Sequence, residues 1–211
     1  MKRSLQPELM DSPDIPHATL EQFHRDLKRV HSVLGTFATV KRFLQHDTKP
    51  VSRVLDIGCG GGSLLKYLRG SMDVQITGVD RIPPPGLDFP FVTADACLDA
   101  LPSADVAVST MMSHHLTPGE NVALIRNVGR SCRRFLILDL VRHPLPLTLF
   151  SLFVCPLIGH EAGADGRQSI RRAFTPAEFS ELVTGALAGT KGRFSMDVSF
   201  FRSRQVIDIR Y

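Results

Sequence analysis

Val54-Leu55-Asp56-Ile57-Gly58-Cys59-Gly60-Gly61-Gly62-Ser63 is the stretch on which the reading of this chain turns. A short apolar strand runs into a loop of glycines, and a helical pattern follows at once from Ser63. Glycine lets the backbone turn through left-handed conformations and lets a ligand approach it closely. Gly-rich strand-to-helix turns serve two broad ligand classes, and spacing separates them. A dinucleotide fingerprint wants G-x-G-x-x-G/A, whose third small residue would fall at Ser63. Here the glycines fall at 58, 60 and 62, with an acid two residues before the first. Asp56 repels a pyrophosphate and suits a cation, so the turn reads as a seat for a positively charged nucleoside rather than for NAD.

Working outward, residues 53–57, 75–79, 91–93, 105–109 and 135–140 read as strands, with helical patterns at 63–69 and 121–132. Strands that are solidly apolar rather than alternating are buried on both faces, as in a parallel sheet covered by helices. The intervening helices supply the right-handed crossovers such a sheet needs. Thr175-Pro-Ala-Glu178 is a capping-box spelling and opens a helix to about residue 187. Residues 194–201 and 205–211 read as a two-stranded ribbon at the end of the sheet. Upstream, Leu20, Phe23, Leu27, Val30, Leu34, Phe37, Val40, Phe43 and Leu44 recur at helical steps, with Gly35 dividing two helices. Residues 1–16, with Pro7, Pro13 and Pro16, read as an extended lead-in. The organisation expected is a helical cap over 1–48 and an α/β domain over 49–211.

Composition limits the functions on offer. At 211 residues, with 43% hydrophobic and 22% charged residues, the chain is an ordinary globular one and not a disordered or collagen-like one. Lys+Arg 25 against Asp+Glu 21 leaves +4, too mild and scattered for a phosphate-tracking stripe. The densest basic stretches are residues 130–134, Arg171 with Arg172, and Arg202 with Arg204. No nucleic-acid partner is expected. Cys59, Cys97, Cys132 and Cys155 form no C-x-x-C pair, which argues against zinc. The first residues lack an apolar signal core, and the run at 145–158 is short for a span and broken by Pro146 and Pro156. A soluble cytoplasmic protein is expected, with a homodimer left open.

Two further acids extend the motif. Asp80 ends the second strand about 20 residues past the glycine turn, where a carboxylate can accept both ribose hydroxyls. Asp95 follows the third strand, placed to accept from an exocyclic amine while Ala96 offers its backbone N–H to a ring nitrogen.

The order D-I-G-C-G-G-G, V-D, A-D-A and S-T-M-M-S-H-H-L resembles a class I S-adenosylmethionine-dependent methyltransferase over residues 50–140. The resemblance implies a Rossmann-like, doubly wound, mostly parallel seven-stranded sheet with helices on both faces, and S-adenosylmethionine as cofactor. Carried over by position, Asp56, Gly58 and Gly60 would line the methionine end, with Cys59 and Arg81 beside the motifs. Asp80 would hold the ribose, Asp95 and Ala96 the adenine, and Thr110, Met111 and Met112 the face near the sulfonium. The flanks, E-L-M-D-S-P-D at 8–14 and D-G-R-Q-S-I-R-R-A-F-T-P at 165–176, resemble a bacterial branch associated with quinone-like or polyketide products.

Methyl transfer from an activated sulfonium asks the protein mainly for alignment and exclusion of water. A phenol of pKa about 10 must still lose its proton, and a histidine near 6.5 can take it. His115 is favoured over His114 for that role, the alternative being a histidine that packs or caps. Methyltransferases acting on nucleobase or glutamine NH₂ groups usually carry an Asn/Asp-Pro-Pro-Tyr-type tetrapeptide here. Thr110-Met-Met-Ser113 has neither the amide nor the aromatic. The apolar run at 145–158, within an insert over about 143–172, is read as a lid for an aromatic acceptor, with core filling or a dimer contact as the alternative. His143, His160 and Arg167 are secondary acceptor-site candidates. No metal is expected at His143, His160 and Glu161. An RNA methyltransferase, a methyltransferase-like binding protein and an NAD-type dehydrogenase are the rival readings.

Overall fold

The computed structural model describes residues 1–9, 15, 19, 22–23, 25–26, 29–30, 35–83, 88–199 and 201–211. Its strands are β1 (Arg53–Ile57), β2 (Gln75–Asp80), β3 (Phe91–Thr93), β4 (Ala104–Thr110), β5 (Cys132–Leu140), β6 (Arg193–Val198) and β7 (Arg204–Arg210). They form one sheet in the order β3-β2-β1-β4-β5-β7-β6. The pairs among β1 to β5 are parallel, and β7 runs antiparallel to both β5 and β6. The main helices are α1 (Thr36–Gln45), α2 (Ser63–Arg69), α3 (Pro118–Val128), α4 (Pro144–Leu149), α5 (His160–Arg172) and α6 (Pro176–Leu187). Among the described residues no helix is long and apolar enough to cross a membrane.

Successive side chains of a strand point to opposite faces, so a sheet covered on both sides needs two cores. In β1, Leu55 and Ile57 join Leu124, Ile125 and Val128 of α3 and Phe179 and Val183 of α6. Val54 faces the other way, toward Phe37, Val40 and Leu44 of α1 and Leu64, Leu65 and Leu68 of α2. Continuous burial across the central strands follows, which is why their apolar runs are unbroken.

Several expected boundaries move. The helix read at 121–132 begins at Pro118, because Thr117 and Glu120 form a capping box, with Thr117 N–H to Glu120 Oε2 at 2.7 Å. Cys132 belongs to β5 instead, which starts three residues before the expected 135. Arg134 can lie buried in that strand because Asp208 of β7 binds it through two contacts of 2.6 and 2.8 Å. The terminal ribbon stands at the end of the sheet as expected, with β7 against β5 and β6 at the edge. The capping box at Thr175 forms as spelled, with Glu178 N–H to Thr175 Oγ1 at 3.3 Å.

In the N-terminal segment the described residues 19, 22–23, 25–26 and 29–30 are helical. Leu20, Leu27 and Leu34 of the expected repeat lie outside the described residues, as do residues 10–14 of the 8–14 flank. Gly35 takes φ 61° at the start of α1. The insert after β5 is helical: α4, a π turn over Phe150–Val154, a 3₁₀ turn over Cys155–Leu157, then α5.

At the amino-terminal edge of β5, Asp47 gathers three guanidinium groups. Arg133 stands 2.8 Å away, Arg210 3.0 Å and Arg134 3.3 Å. Hydrogen bonds from Arg210 and Arg133 hold the Asp47 carboxyl down at about 2, against the opposing effect of burial. Two residues of the 130–134 basic stretch are thus occupied within the fold.

Candidate functional site

Strand order reverses between β1 and β4, the place where an open α/β sheet leaves a crevice at its carboxyl edge. Ile57 of β1 sits opposite Ser109 of β4, so the glycine loop and the segment after Thr110 face one another across that crevice. Gly58, Gly60 and Gly62 have φ of 69°, 48° and 70°, the left-handed region that explains the choice of glycine. A Cβ at Gly58 would fall 2.4 Å from Met112 Sδ. A side chain at Gly58 would therefore have to push the Met112 side chain aside.

Gly58 N–H donates to Val79 O at 2.8 Å, tying the loop to β2. Asp80, at the end of that strand, accepts from Gly60 N–H at 2.9 Å through Oδ2 and from Ile82 N–H at 3.4 Å through Oδ1. Its carboxylate thus shapes the loop and keeps lone pairs on both oxygens for a ligand. Arg81 beside it is exposed.

Asp56 is the anomaly of the site. It is 2% exposed, and among the described residues its Oδ1 has no hydrogen-bond partner. Burial, reinforced by the charge of Asp80, pushes its carboxyl up to about 7. A buried carboxyl oxygen without a donor costs free energy unless a ligand supplies one. The Cys59 thiol is also pushed up by burial, with Asp56 adding to the effect, so it stays protonated and is no thiolate nucleophile.

Asp95 forms a local turn after β3. Its Oδ1 accepts from Cys97 N–H at 2.9 Å and its own N–H donates to Asp99 Oδ2 at 2.8 Å. Ala96 O accepts from Asn127 Nδ2 at 2.9 Å, anchoring this turn to α3. Burial, then the neighbouring Asp95, pushes the Cys97 thiol up to about 12.

Past Thr110 the chain turns sharply. Met111 has φ 55°, rare for a non-glycine residue, and its N–H donates to Leu138 O at 2.8 Å. Ser113–His115 then forms a 3₁₀ turn, held by Asn121 Nδ2 on Ser113 O at 3.0 Å. This turn separates the two histidines. His114 is buried, with its backbone N–H on Asp139 Oδ2 at 2.8 Å and its Nδ1 2.6 Å from Asp139 Oδ1. His115 keeps a side chain 22% exposed, its ring 4.3 Å from that of His114.

Both rings face Glu8. Its carboxylate oxygens stand 3.9 Å from each Nε2. Asp139 has no role in the sequence reading, and Glu8 enters it only as the first residue of the 8–14 flank. Asp139 is one acid inside an apolar strand, and Glu8 lies in a proline-rich lead-in without periodicity, so nothing local marks either.

The secondary candidates have local roles. His143 caps α4, accepting from Leu145 N–H at 3.1 Å through Nδ1. Arg167 Nη1 lies 3.1 Å from Cys155 Sγ within the insert. His160 is exposed at the start of α5, in a cleft shared with Phe23 and Asp26. The apolar insert is divided: Phe150 packs against Gly166, while Leu152, Phe153 and Leu157 are exposed.

Against known proteins, a family described as methyltransferase domain matches residues 13–138. No curated protein matches the sequence significantly. Among solved structures, the plantazolicin methyltransferase BamL, in complex with a triazolic desmethylPZN analog and SAH, superposes with a TM-score of 0.72. It is 16% identical, with 92% of this chain and 90% of that one covered. The plantazolicin methyltransferase BpumL with SAH gives 0.70 at 14% identity, over 94% and 91%. Human N-acetylserotonin methyltransferase with SAM gives 0.62 at 20% identity, over 90% of this chain and 55% of that one. At such identities the likeness is one of fold.

Proposed function

This chain belongs to the methyltransferase domain family, and from that premise we propose that it moves a methyl group from S-adenosylmethionine to a small aromatic, phenolic or quinone-like acceptor. The acceptor atom is an oxygen, with carbon as the alternative. One observation carries the cofactor assignment: a buried carboxyl oxygen without a partner, beside a glycine loop, at the strand-order reversal. An ammonium group supplies both the donor and the positive charge that Asp56 lacks. When bound, the cofactor supplies an activated methyl group on a cationic sulfur.

In this reading Asp56, Gly58, Cys59 and Gly60 hold the methionine end, and Asp80, next to Arg81, takes the ribose hydroxyls. Asp95 and Ala96 take the adenine, and Thr110, Met111 and Met112 shape the crevice near the reacting carbon. His115, the more accessible histidine, removes the acceptor's proton, and buried His114 supports the turn. The 1–48 segment and the insert over about 143–172 close over the acceptor. His143, His160 and Arg167 lie along that closure, and the exposed Leu152, Phe153 and Leu157 offer apolar surface to an acceptor or to a second copy. The engagement of Arg133 and Arg134 by Asp47 and Asp208 supports a small acceptor over RNA, because it removes cations a phosphate backbone would need.

Labelled S-adenosylmethionine offered with a panel of phenols, quinols and bulk RNA tests the proposal. Methyl incorporation into a phenol or quinol, reduced about 10²–10⁴-fold at pH 7 by His115→Ala, is the expected result. Incorporation into RNA alone would replace the acceptor class. Near-native turnover by both His115→Ala and His114→Ala would remove the base from the scheme.

A further inference from the structure

The first nine residues form a strap across α5 and the β4 turn. Arg3 donates to Arg172 O at 2.6 Å, Leu116 O at 2.9 Å and His114 O at 3.2 Å. Its guanidinium also lies 3.9 Å over the Phe174 ring. Gln168 Nε2 donates to Gln6 O at 2.7 Å, and Leu9 N–H to Asp165 Oδ1 at 2.9 Å. Strapped down in this way, Glu8 is 3% exposed, with its carboxylate between two imidazoles.

We propose that Glu8 is a positioning residue, whose buried carboxylate stabilises the imidazolium formed when His115 takes a proton from the acceptor. The proposal rests on the methyl-transfer reading. In the step concerned the acceptor's O–H bond breaks, its electron pair stays on oxygen, and the proton forms an N–H bond on the His115 ring. The positive charge spreads over both ring nitrogens, and Nε2 lies 3.9 Å from Glu8 Oε2. An opposite charge at that range in a partly desolvated site favours the charged imidazole.

The other groups around His115 define what Glu8 adds. Arg172 of α5 stands 3.7 Å from Glu8 Oε1 and donates to His115 O at 3.0 Å, so it opposes a second positive charge nearby. Ser169 Oγ donates to Glu8 Oε2 at 2.6 Å, and with Arg172 it favours the carboxylate form. Asp139 of β5 already accepts from His114 N–H and Leu140 N–H, so it acts as an acceptor and takes the hydrogen of His114 Nδ1. His114 Nε2 lies 3.9 Å from the other Glu8 oxygen, Oε1. Arg3 donates to the backbone carbonyls of His114 and Leu116 in the turn. Among the described residues, Glu8 is an anion with an oxygen 3.9 Å from His115 Nε2, and it comes from the far end of the sequence.

The test is a pH titration of the full chain with ¹⁵N-labelled histidine, comparing wild type with Glu8→Gln. Gln keeps the size and a hydrogen-bond acceptor for Ser169 while it removes the charge and turns the other oxygen into an NH₂ donor. His115 should bind its proton about tenfold less tightly in Glu8→Gln, a fall of about one pH unit. S-adenosylhomocysteine affinity should stay within about twofold of wild type, and Glu8→Asp should restore most of the histidine shift. An unchanged His115 titration in Glu8→Gln overturns the proposal. Should that variant fail to fold, wild type with ¹³C-labelled glutamate carries the same test. The Glu8 carboxyl resonance must then move through the pH at which His115 titrates, and a flat resonance overturns the proposal. Failure of wild type to bind S-adenosylhomocysteine instead strikes the methyl-transfer reading, which keeps the two failures distinct.

Discussion

Asp47 precedes β1 and Asp56 lies within it, toward opposite edges of the sheet, and the fold treats them in opposite ways. Asp47 meets three guanidinium groups at the amino-terminal edge of β5, and its carboxyl is held at about 2. Asp56, at the carboxyl edge, has a buried oxygen with no donor among the described residues and a carboxyl pushed up to about 7. Both are removed from water, so burial alone does not separate them. The partners do. An acid that the fold neutralises itself is part of the scaffold, whereas one left in need of a donor and a positive charge marks where a ligand completes the molecule.

The largest effect that could break this contrast is on stability. Asp56 has a folded-state pKa raised from 3.8 to about 7, so the unliganded protein loses stability as pH rises from about 4 to 7. The cost approaches about 4 kcal/mol above pH 7, taking 1.36 kcal/mol per unit. Asp56→Asn should therefore raise unfolding free energy at pH 8 by about 2–4 kcal/mol, read by urea denaturation, while S-adenosylhomocysteine binding falls at least tenfold. A variant both less stable and fully able to bind would place Asp56 in the scaffold.

Asp47→Asn should do the reverse, lowering stability at pH 7 by about 2 kcal/mol through loss of a buried, charge-assisted network. For a chain of this length the melting temperature should drop about 4–8 °C, with cofactor affinity unchanged. The sign with pH is also opposite. The folded-state pKa is depressed, so the contribution of Asp47 is present above pH 4 and lost as pH falls toward about 2. Acid unfolding of wild type should steepen in that window and flatten in Asp47→Asn.

A smaller effect sharpens the contrast at Asp80, which belongs to both classes because it holds Gly60 N–H and retains free lone pairs. Asp80→Ala should weaken S-adenosylhomocysteine binding by about 1–3 kcal/mol in isothermal titration, the usual loss for a charge-assisted hydrogen bond. Its stability should change by less than that of Asp47→Asn. Undiminished binding would remove Asp80 from the ribose site.

The same contrast explains what the sequence made legible. The glycine turn, its flanking acids and the apolar central strands follow local rules, and they stand where those rules put them. Asp47, Asp139 and Glu8 follow none, since their partners lie 86 or more, 25, and 106 or more residues away. The early start of β5 was hidden for the same reason: an arginine reads as a strand boundary until Asp208 is known to be beside it. The sequence favours His115 over His114 as the base, and the Asp139 contact is what separates the buried ring from the accessible one.

The measurement that bears most directly on the central claim is isothermal titration of S-adenosylhomocysteine into wild type and Asp56→Asn at pH 6 and pH 8, in buffers of different ionisation enthalpy. If the ligand's ammonium completes Asp56, wild-type affinity should rise about tenfold from pH 6 to pH 8 with net proton release, since a group of pKa about 7 is about 10% ionised at the first pH and about 90% at the second. Asp56→Asn should bind weakly, with no proton release and no pH dependence. Identical pH profiles for the two proteins, or no binding by wild type, would contradict the account.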